Sequence, residues 1–372
     1  MKFDKWNIKL LNSPLGACEN KHSPPNQVAV LMSGGVDSSV TAYLLKEQGW
    51  NIFGVTMMIP VSCNAGKKGC CGADAALVCE ELGIPHYLID VTEPFQKLII
   101  ENFVQSYTKG QTPNPCVDCN TQLKFSLLWD FLEENFGTCN LATGHYAKVS
   151  KSNERTYLGK ATDKTKDQSY FLYGITIEKL SRLILPLVDF TKEKVRSIAT
   201  ELNLSVAEKS ESMELCFAGE GDYRSVLDIS EINREGDITD MQGNKIATHK
   251  GIANYTLGQR QGIGYAGGKP LYVAKIDADS NTIALGERED ISYNVIKSNQ
   301  VNVLIPEEFV ADSRLFGKIR SYGNSQPCKI VETGKDEVIV EFDEPQFAPC
   351  PGQKLVLYNN DDNIVAGGTI IS

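Results

Sequence analysis

From residue 27 to about residue 204, short apolar runs rich in β-branched residues alternate with longer stretches whose apolar positions recur at helical spacing. Residues 28–32, 52–58 and 86–90 read as strands, and the stretches ending at Gly49 and Gly83 read as the helices between them. A further apolar run, residues 140–146, enters a glycine turn. This alternation predicts an α/β fold with a doubly wound parallel sheet. Residues 206–290 lose the rhythm, carry glycine turns such as Gln242-Gly243-Asn244, and read as a mixed α+β region. From about residue 298, period-two alternation such as Val338-Ile339-Val340-Glu341-Phe342 predicts a C-terminal antiparallel β-barrel. The expected organisation is an extension over 1–26, a nucleotide-type sheet domain over 27–205, a central domain over 206–290 and a barrel over 298–372.

The turn after the first strand carries the most chemistry. In Met32-Ser33-Gly34-Gly35-Val36-Asp37-Ser38-Ser39 two glycines let a backbone approach an anion, and three serines offer hydroxyls beside the N–H groups of a helix start. A serine-capped glycine turn at a structural helix would look similar. The apolar run before it and the helical pattern after it favour a phosphate loop, hence ATP. Asp37 needs its charge offset there, and reads as a Mg²⁺ or pyrophosphate-positioning group. No Gly-Lys-Ser/Thr follows, which argues against an ordinary kinase or GTPase. The loop resembles the PP-loop of ATP pyrophosphatases, which have an adenine nucleotide hydrolase-like fold and cleave ATP between the α- and β-phosphates. That resemblance implies adenylation. In a doubly wound sheet, ligands collect at the carboxyl ends of strands, so Met57, Gly144 and His145 should face the same crevice.

Composition limits the rest. A chain of 372 residues, 42% hydrophobic and 23% charged, should fold as two or three domains. No run approaches a membrane span and no secretory signal is visible, so a cytoplasmic protein without a membrane partner is expected. Eleven cysteines without an export signal suggest thiols, ligands or catalysts, with Cys18, Cys79, Cys139, Cys328 and Cys350 read as structural or incidental. The net charge of −10 counts against nucleic acid, although a local basic patch suffices to bind it.

Two thiols stand in suggestive places. Cys119 follows the proline-stiffened Thr112-Pro113-Asn114-Pro115-Cys116-Val117-Asp118, and Cys216 lies in Glu214-Leu215-Cys216-Phe217 near the expected domain change. Together with Thr143-Gly144-His145-Tyr146, Lys166-Asp167-Gln168-Ser169 and Tyr255-Thr256-Leu257-Gly258-Gln259-Arg260, the ordered motifs resemble the tRNA-specific 2-thiouridylases from about residue 27 onward.

The resemblance implies that residues 32–39, Met57 and Gly144 bind ATP. It implies that the wobble uridine of tRNA, position 34, is adenylated at its C2 oxygen. A persulfide on Cys216, charged by a cysteine desulfurase or a relay carrier, then supplies sulfur, with Cys119 as the second nucleophile and a transient Cys119–Cys216 disulfide. Asn114, Pro115 and Cys116 fall in the target-base segment. Lys166, Asp167 and Gln168, together with His145, Gln353, Arg320 and Ser321, fall at tRNA contacts. Isolated from those motifs, Lys166-Asp167 reads as a surface ion pair, Gln353 as a turn residue and His145 as a buried hydrogen-bonded imidazole.

Two departures stand out. Arg320-Ser321-Tyr322-Gly323 lacks one positive charge of the family's barrel element. Cys116 replaces the family's usual aspartate and creates Cys116-x-x-Cys119, which with Cys216 makes three thiolates. Four readings stay open: a [4Fe–4S] cluster, a zinc site, help in resolving the disulfide, or replacement without new chemistry. Cys63, Cys70 and Cys71, among glycines, suggest a flexible thiol-rich loop over the crevice. Rival readings are another PP-loop adenylating ligase, such as a GMP synthetase-like amidotransferase or an argininosuccinate synthase, and a non-catalytic tRNA-binding or iron–sulfur carrier protein.

Overall fold

The protein is described from a computed structural model, over residues 5–12, 26–60, 72–137, 140–210, 215–218, 226–227, 233–265 and 267–372. The thiol-rich loop of Cys63, Cys70 and Cys71 lies outside the described residues, as do Cys18 and Cys139. Two compact units emerge: Met1–Ile99 with Cys116–Gly219, and Ile100–Pro115 with Glu220–Ser372.

The first unit is built on a six-stranded sheet in the order Lys9–Leu10, His86–Asp90, Asn51–Met58, Gln27–Leu31, Asn140–Ala142, Leu183–Ile184. Every neighbouring pair is parallel except the first. Strand Gln27–Leu31 lies centrally, with Val28, Ala29 and Val30 fully buried, as expected of an uninterrupted apolar run covered on both faces. The chain moves outward on one side through Asn51–Met58 and His86–Asp90, then returns to the other side at Asn140–Ala142. The order therefore reverses at Gln27–Leu31, and the crevice for a ligand opens at its carboxyl end. The doubly wound parallel sheet read from the alternation is present. Lys9–Leu10 pairs antiparallel with His86–Asp90, so part of the N-terminal extension covers a sheet edge that would otherwise expose unpaired backbone groups.

Helices Val36–Glu47, Ala73–Glu81 and Lys192–Glu201 cover this sheet and share one apolar core with it, including Val40, Leu45, Val78, Cys79, Val195 and Ala199. Cys79 is fully buried and its thiol is pushed up to about 12 by desolvation, which fits an inert packing role.

In the second unit, a four-stranded mixed sheet runs Lys245–His249, Gly236–Thr239, Thr282–Gly286, Tyr272–Asp277, with one parallel pair. Between residues 233 and 291 its described helical pieces are short 3₁₀ turns, Ile252–Asn254 and Glu289–Ile291. An α-helix packing there comes from much earlier in the chain: Glu101–Thr108 lies against Ile252–Asn254. The barrel is closed, in the order Ser292–Val303, Glu337–Phe347, Gln326–Thr333, Arg314–Lys318, Lys354–Tyr358, Ile364–Ile370. Its first strand starts before the alternation becomes obvious in the sequence. No described helix is long and apolar enough to cross a membrane.

Candidate active site

Within the first unit the glycine loop follows the central strand and leads directly into helix Val36–Glu47. Gly34 has φ +67°, a conformation that suits glycine, and a Cβ there would lie 3.0 Å from Asp74 Cβ. Ser38 and Ser39 are buried, and their hydroxyls donate to the Gly35 carbonyl at 3.0 and 2.9 Å. Ser38 Oγ also accepts the Ser33 N–H at 3.2 Å. Sequence reasoning offered both serines as phosphate donors; here their hydroxyls shape the loop. The donors the loop presents to an anion are the first-turn N–H groups of the helix, which by construction have no intrahelical acceptor.

Asp37 sits in that first turn with its carboxylate held by protein groups. Lys192 Nζ donates to both Oδ1 and Oδ2 at 2.7 Å, and the Tyr146 hydroxyl donates to Oδ1 at 2.8 Å. Lys192 is buried at the start of helix Lys192–Glu201, and a buried ammonium requires such a partner. The sequence reading looked to Mg²⁺ or a ligand to offset Asp37; Lys192 already does so. As placed, this one carboxylate is engaged by an ammonium and a hydroxyl, which is not the arrangement of a preformed Mg²⁺ cage. A second lysine, Lys209, reaches the loop and donates to the Gly34 carbonyl at 2.9 Å and to Asp74 Oδ2 at 2.5 Å. Neither lysine belongs to a motif or a periodic pattern that would have flagged it.

The turn after Asn140–Ala142 closes one side of the loop. Gly144 approaches so closely that a Cβ would lie 2.8 Å from the Asp37 carbonyl carbon and 2.9 Å from Ser38 N. Gln168 grips the next residues: its N–H donates to the Tyr146 carbonyl at 2.7 Å and its Oε1 accepts the Tyr146 N–H at 3.0 Å. Asp167 accepts from the Ala161 N–H at 3.0 Å and from the Ser169 hydroxyl at 2.9 Å. Gln168 thus braces the Gly144–Tyr146 turn, while Asp167 ties Ala161 to the start of the Ser169 segment. Met57 lies at the carboxyl end of the neighbouring strand Asn51–Met58 and is half-buried. Lys166, immediately before this pair, is also half-buried.

The cysteines lie in the same unit. Pro115 opens a short helix, Pro115–Asp118, that runs without a break into a π-helical stretch, Cys119–Leu128. Cys116 and Cys119 are three apart and share a face, the first exposed and the second buried. In π-helical winding the turn begun at Cys119 closes five residues on, at Lys124. Lys124 exerts its charge on Cys116, Cys119, Cys216 and His145, making it the shared cation of the thiols. Sequence reasoning missed it because five-residue spacing carries no α-helical signal.

Cys216 is exposed, next to Phe217, whose buried ring meets Phe95 edge-on at 5.9 Å. Cys119 and Cys116 are close enough to Cys216 to oppose its ionisation, adding to the larger effect of desolvation. Desolvation comes first among the causes that push Cys216 up to about 12, and desolvation likewise raises Cys116 and Cys119. The thiol reaches solvent but is crowded by protein. At neutral pH all three are therefore thiols. Iodoacetamide labelling of Cys216, followed by peptide mass spectrometry, should rise steadily from pH 7 to 10, whereas free cysteine levels off above its pKa of about 8.5. Labelling at pH 7 as fast as free cysteine would contradict this environment.

Among the described residues, no three His, Cys, Asp or Glu side chains are grouped to hold a metal ion. The zinc reading of Cys116, Cys119 and Cys216 has no support in this arrangement, and no chemical step is assigned to a cluster. All three are free cysteines. His145 is half-buried, shares a 2.8 Å hydrogen bond between Nδ1 and Thr143 Oγ1, and is pushed down to about 3 by desolvation and the Lys124 charge. It is a neutral imidazole at physiological pH.

Residues expected at RNA contacts in the second unit are also structurally engaged. Gln353 Nε2 donates to the carbonyls of Thr112 and Pro113 at 3.0 and 3.3 Å, fixing the proline approach just before Asn114 and Pro115. The Arg320 guanidinium donates to the Ala348 carbonyl at 2.8 Å and the Tyr322 hydroxyl at 2.9 Å, so its charge is partly committed within the barrel. Ser321 beside it is half-buried, while Tyr322 is 71% exposed.

Comparison with known proteins gives matches along most of the chain. The family described as tRNA methyl transferase HUP domain matches residues 26–220, the tRNA methyl transferase PRC-barrel domain residues 225–287, and the aminomethyltransferase beta-barrel domain residues 294–371. The tRNA-specific 2-thiouridylase MnmA 1 of Caldanaerobacter subterraneus subsp. tengcongensis is 42% identical over 93% of this chain and 98% of its own length. The tRNA-specific 2-thiouridylase MnmA of Clostridioides difficile is 40% identical over the same shares. Among solved structures, the U34-tRNA thiolase NcsA of Methanococcus maripaludis with its [4Fe-4S] cluster matches 56% of this chain and 65% of its own, at 24% identity and TM-score 0.34. That likeness is too slight to bear on the chemistry here.

Proposed function

The chain belongs to the tRNA-specific 2-thiouridylase family, and from that premise we propose that it uses ATP to replace the C2 oxygen of the tRNA wobble uridine, position 34, with sulfur. The observation that carries this reading within the molecule is the joining, in one compact unit, of a phosphate loop at a sheet switch point with two free thiols near one cation.

The roles follow from the chemistry. Residues 32–39, Met57 and Gly144 bind ATP, whose phosphates bring Mg²⁺. The uridine O2 attacks the α-phosphorus, the bond from that phosphorus to the bridging oxygen breaks, and pyrophosphate leaves with the electron pair. O2 has become part of an AMP leaving group. Cys216 is held as a protonated thiol, hence a poor nucleophile at neutral pH; a persulfide ionises more readily than a thiol, so loading sulfur onto Cys216 creates the nucleophile the site lacks. The terminal sulfur attacks C2 and AMP departs. Cys119 then attacks Cys216 Sγ, the S–S bond breaks toward the base, 2-thiouridine is released, and a Cys119–Cys216 disulfide remains for an external reductant. The alternative is that Cys119 frees sulfide first and the sulfide attacks C2.

A cysteine desulfurase or a persulfide carrier supplies Cys216. Asn114, Pro115 and Cys116 lie where the target base is read, and His145, Lys166, Asp167, Gln168, Arg320, Ser321 and Gln353 support the RNA. Reaching the base requires turning it out of the anticodon stack. For Asp167, Gln168 and Gln353 the observed bonds favour bracing of the loops that meet RNA.

The decisive assay incubates unmodified tRNA with the protein, verified free of iron and zinc, plus ATP, Mg²⁺ and a persulfide-generating desulfurase. Mass spectrometry should then find 2-thiouridine, with AMP formed only when tRNA is present. No product without metal, but product after anaerobic cluster reconstitution, would replace the persulfide route by a cluster route. No product under either condition would point to another PP-loop adenylation.

A further inference from the structure

The phosphate loop, residues 32–39, contains no lysine or arginine, although pyrophosphate leaving from ATP carries several negative charges. Its only acidic residue, Asp37, adds a like charge in the first helical turn, where the phosphates would approach. Two lysines reach the loop from later in the chain, and their partners differ. Lys209 contacts a backbone carbonyl, that of Gly34, and the Asp74 carboxylate outside the loop, so it ties segments together. Lys192 places its ammonium symmetrically on the Asp37 carboxylate, 2.7 Å from each oxygen.

The environment of Lys192 is unusual for a purely structural lysine. Its side chain is 9% exposed while that of Asp37 is 33% exposed, so the ammonium comes up from the protein side and the carboxylate faces outward. The ammonium also lies beside the first turn of helix Val36–Glu47, the end that favours anions and disfavours cations. Asp37 offsets that disfavour for the buried cation. An arriving phosphate would add a second anion to the same spot. A lysine ammonium has three donors and can turn from one oxygen acceptor to another with little motion.

Building on the ATP reading above, we propose that Lys192 is the pyrophosphate-binding cation of this loop, exchanging Asp37 carboxylate oxygens for oxygens of the β- and γ-phosphates when ATP binds. In the adenylation step the α-phosphorus to bridging-oxygen bond breaks and the electron pair moves onto pyrophosphate. Lys192 stabilises that charge as it develops. Asp37, its Oδ1 accepting from the Tyr146 hydroxyl, holds the ammonium in place before the nucleotide arrives. Lys192 thereby supplies from a distant helix the charge that a Walker loop carries in its own sequence.

The test separates phosphate binding from simple neutralisation of Asp37. ATP and AMP binding to the full-length chain is measured by calorimetry in EDTA for the parent, Asp37→Asn, Asp37→Asn/Lys192→Met and Asp37→Asn/Lys192→Arg. In the Asp37→Asn background the Asp37 carboxylate is gone, so a lysine whose duty is to neutralise it can be removed without consequence for nucleotide binding. The proposal expects Lys192→Met in this background to weaken ATP binding by about 10- to 100-fold, the loss for a charge-assisted hydrogen bond to phosphate. AMP, which lacks the β- and γ-phosphates, should change by less than about twofold, a resolution fine enough against that loss. Lys192→Arg should retain most of the ATP affinity, which a folding defect at this position would not allow. Unchanged ATP binding in Asp37→Asn/Lys192→Met overturns the proposal, as does equal weakening of ATP and AMP. A parent protein that binds neither nucleotide in EDTA overturns the proposal, and one that binds neither with Mg²⁺ present removes the ATP reading as well.

Discussion

Cys216→Ser should abolish 2-thiouridine formation, at least about 1,000-fold below the parent, while leaving tRNA binding intact. Serine is nearly the same size but cannot carry a persulfide, so the substitution removes the sulfur and little else. The site around it should survive, because Phe217, not Cys216, anchors the segment through its contact with Phe95. Retained thiolation in Cys216→Ser would end the persulfide assignment. Cys119→Ser sharpens the result by dividing the two sulfur-transfer routes. If the Cys216 persulfide attacks the base directly, that variant lacks the group that breaks the S–S bond, and a protein–tRNA adduct should accumulate on a denaturing gel and dissolve with a thiol reductant. If sulfide is released first, Cys119→Ser gives neither adduct nor product. Product at the parental rate in Cys119→Ser would remove Cys119 from both routes.

The phosphate loop was legible because its function demands a local pattern: a buried strand, glycines and a helix start must follow one another in sequence. The doubly wound sheet was legible for the same reason, since each strand and helix writes its own period. What escaped is what the fold assembles from afar. Lys192 and Lys209 act on residues more than a hundred positions earlier, and a single lysine at the start of a helix looks like any solvated charge. Lys124 escaped because its relation to Cys119 follows π-helical winding rather than the α-helical period. Asp167 and Gln168 were picked out by their motif, but the bond of Gln168 to the Gly144–Tyr146 turn and that of Asp167 to Ala161 needed coordinates. Residues 100–115 carry the same strand–helix rhythm as their neighbours, yet they pack within the unit that holds the barrel. Periodicity reports which face of a helix is buried and is silent about the surface it is buried against.

Gly144→Ala is the smallest change with a large expected effect, since it adds one methyl group and removes no functional atom. The added Cβ would lie 2.8 Å from the Asp37 carbonyl carbon, 2.9 Å from Asp37 Cβ and 2.9 Å from Ser38 N. Two of those atoms are backbone, so no rotamer change relieves the clash; the phosphate loop or the Gly144–Tyr146 turn must move. Neither is free to do so. Ser38 and Ser39 are bonded to the Gly35 carbonyl, Asp37 is held by Lys192 and Tyr146, and Tyr146 is gripped by Gln168. Overpacking of this kind costs about 1–3 kcal/mol of stability, which a multi-domain chain tolerates. Displacing the loop by about 1 Å should cost roughly 100-fold in the adenylation step, because the α-phosphorus is no longer aligned with the uridine oxygen. The expected result is a folded protein, with a melting temperature a few degrees lower, whose tRNA-dependent AMP formation falls about 100-fold while thiol labelling of Cys216 is unchanged. Parental AMP formation in Gly144→Ala would mean that the turn yields more easily than its bonds imply, and that ATP is positioned without it.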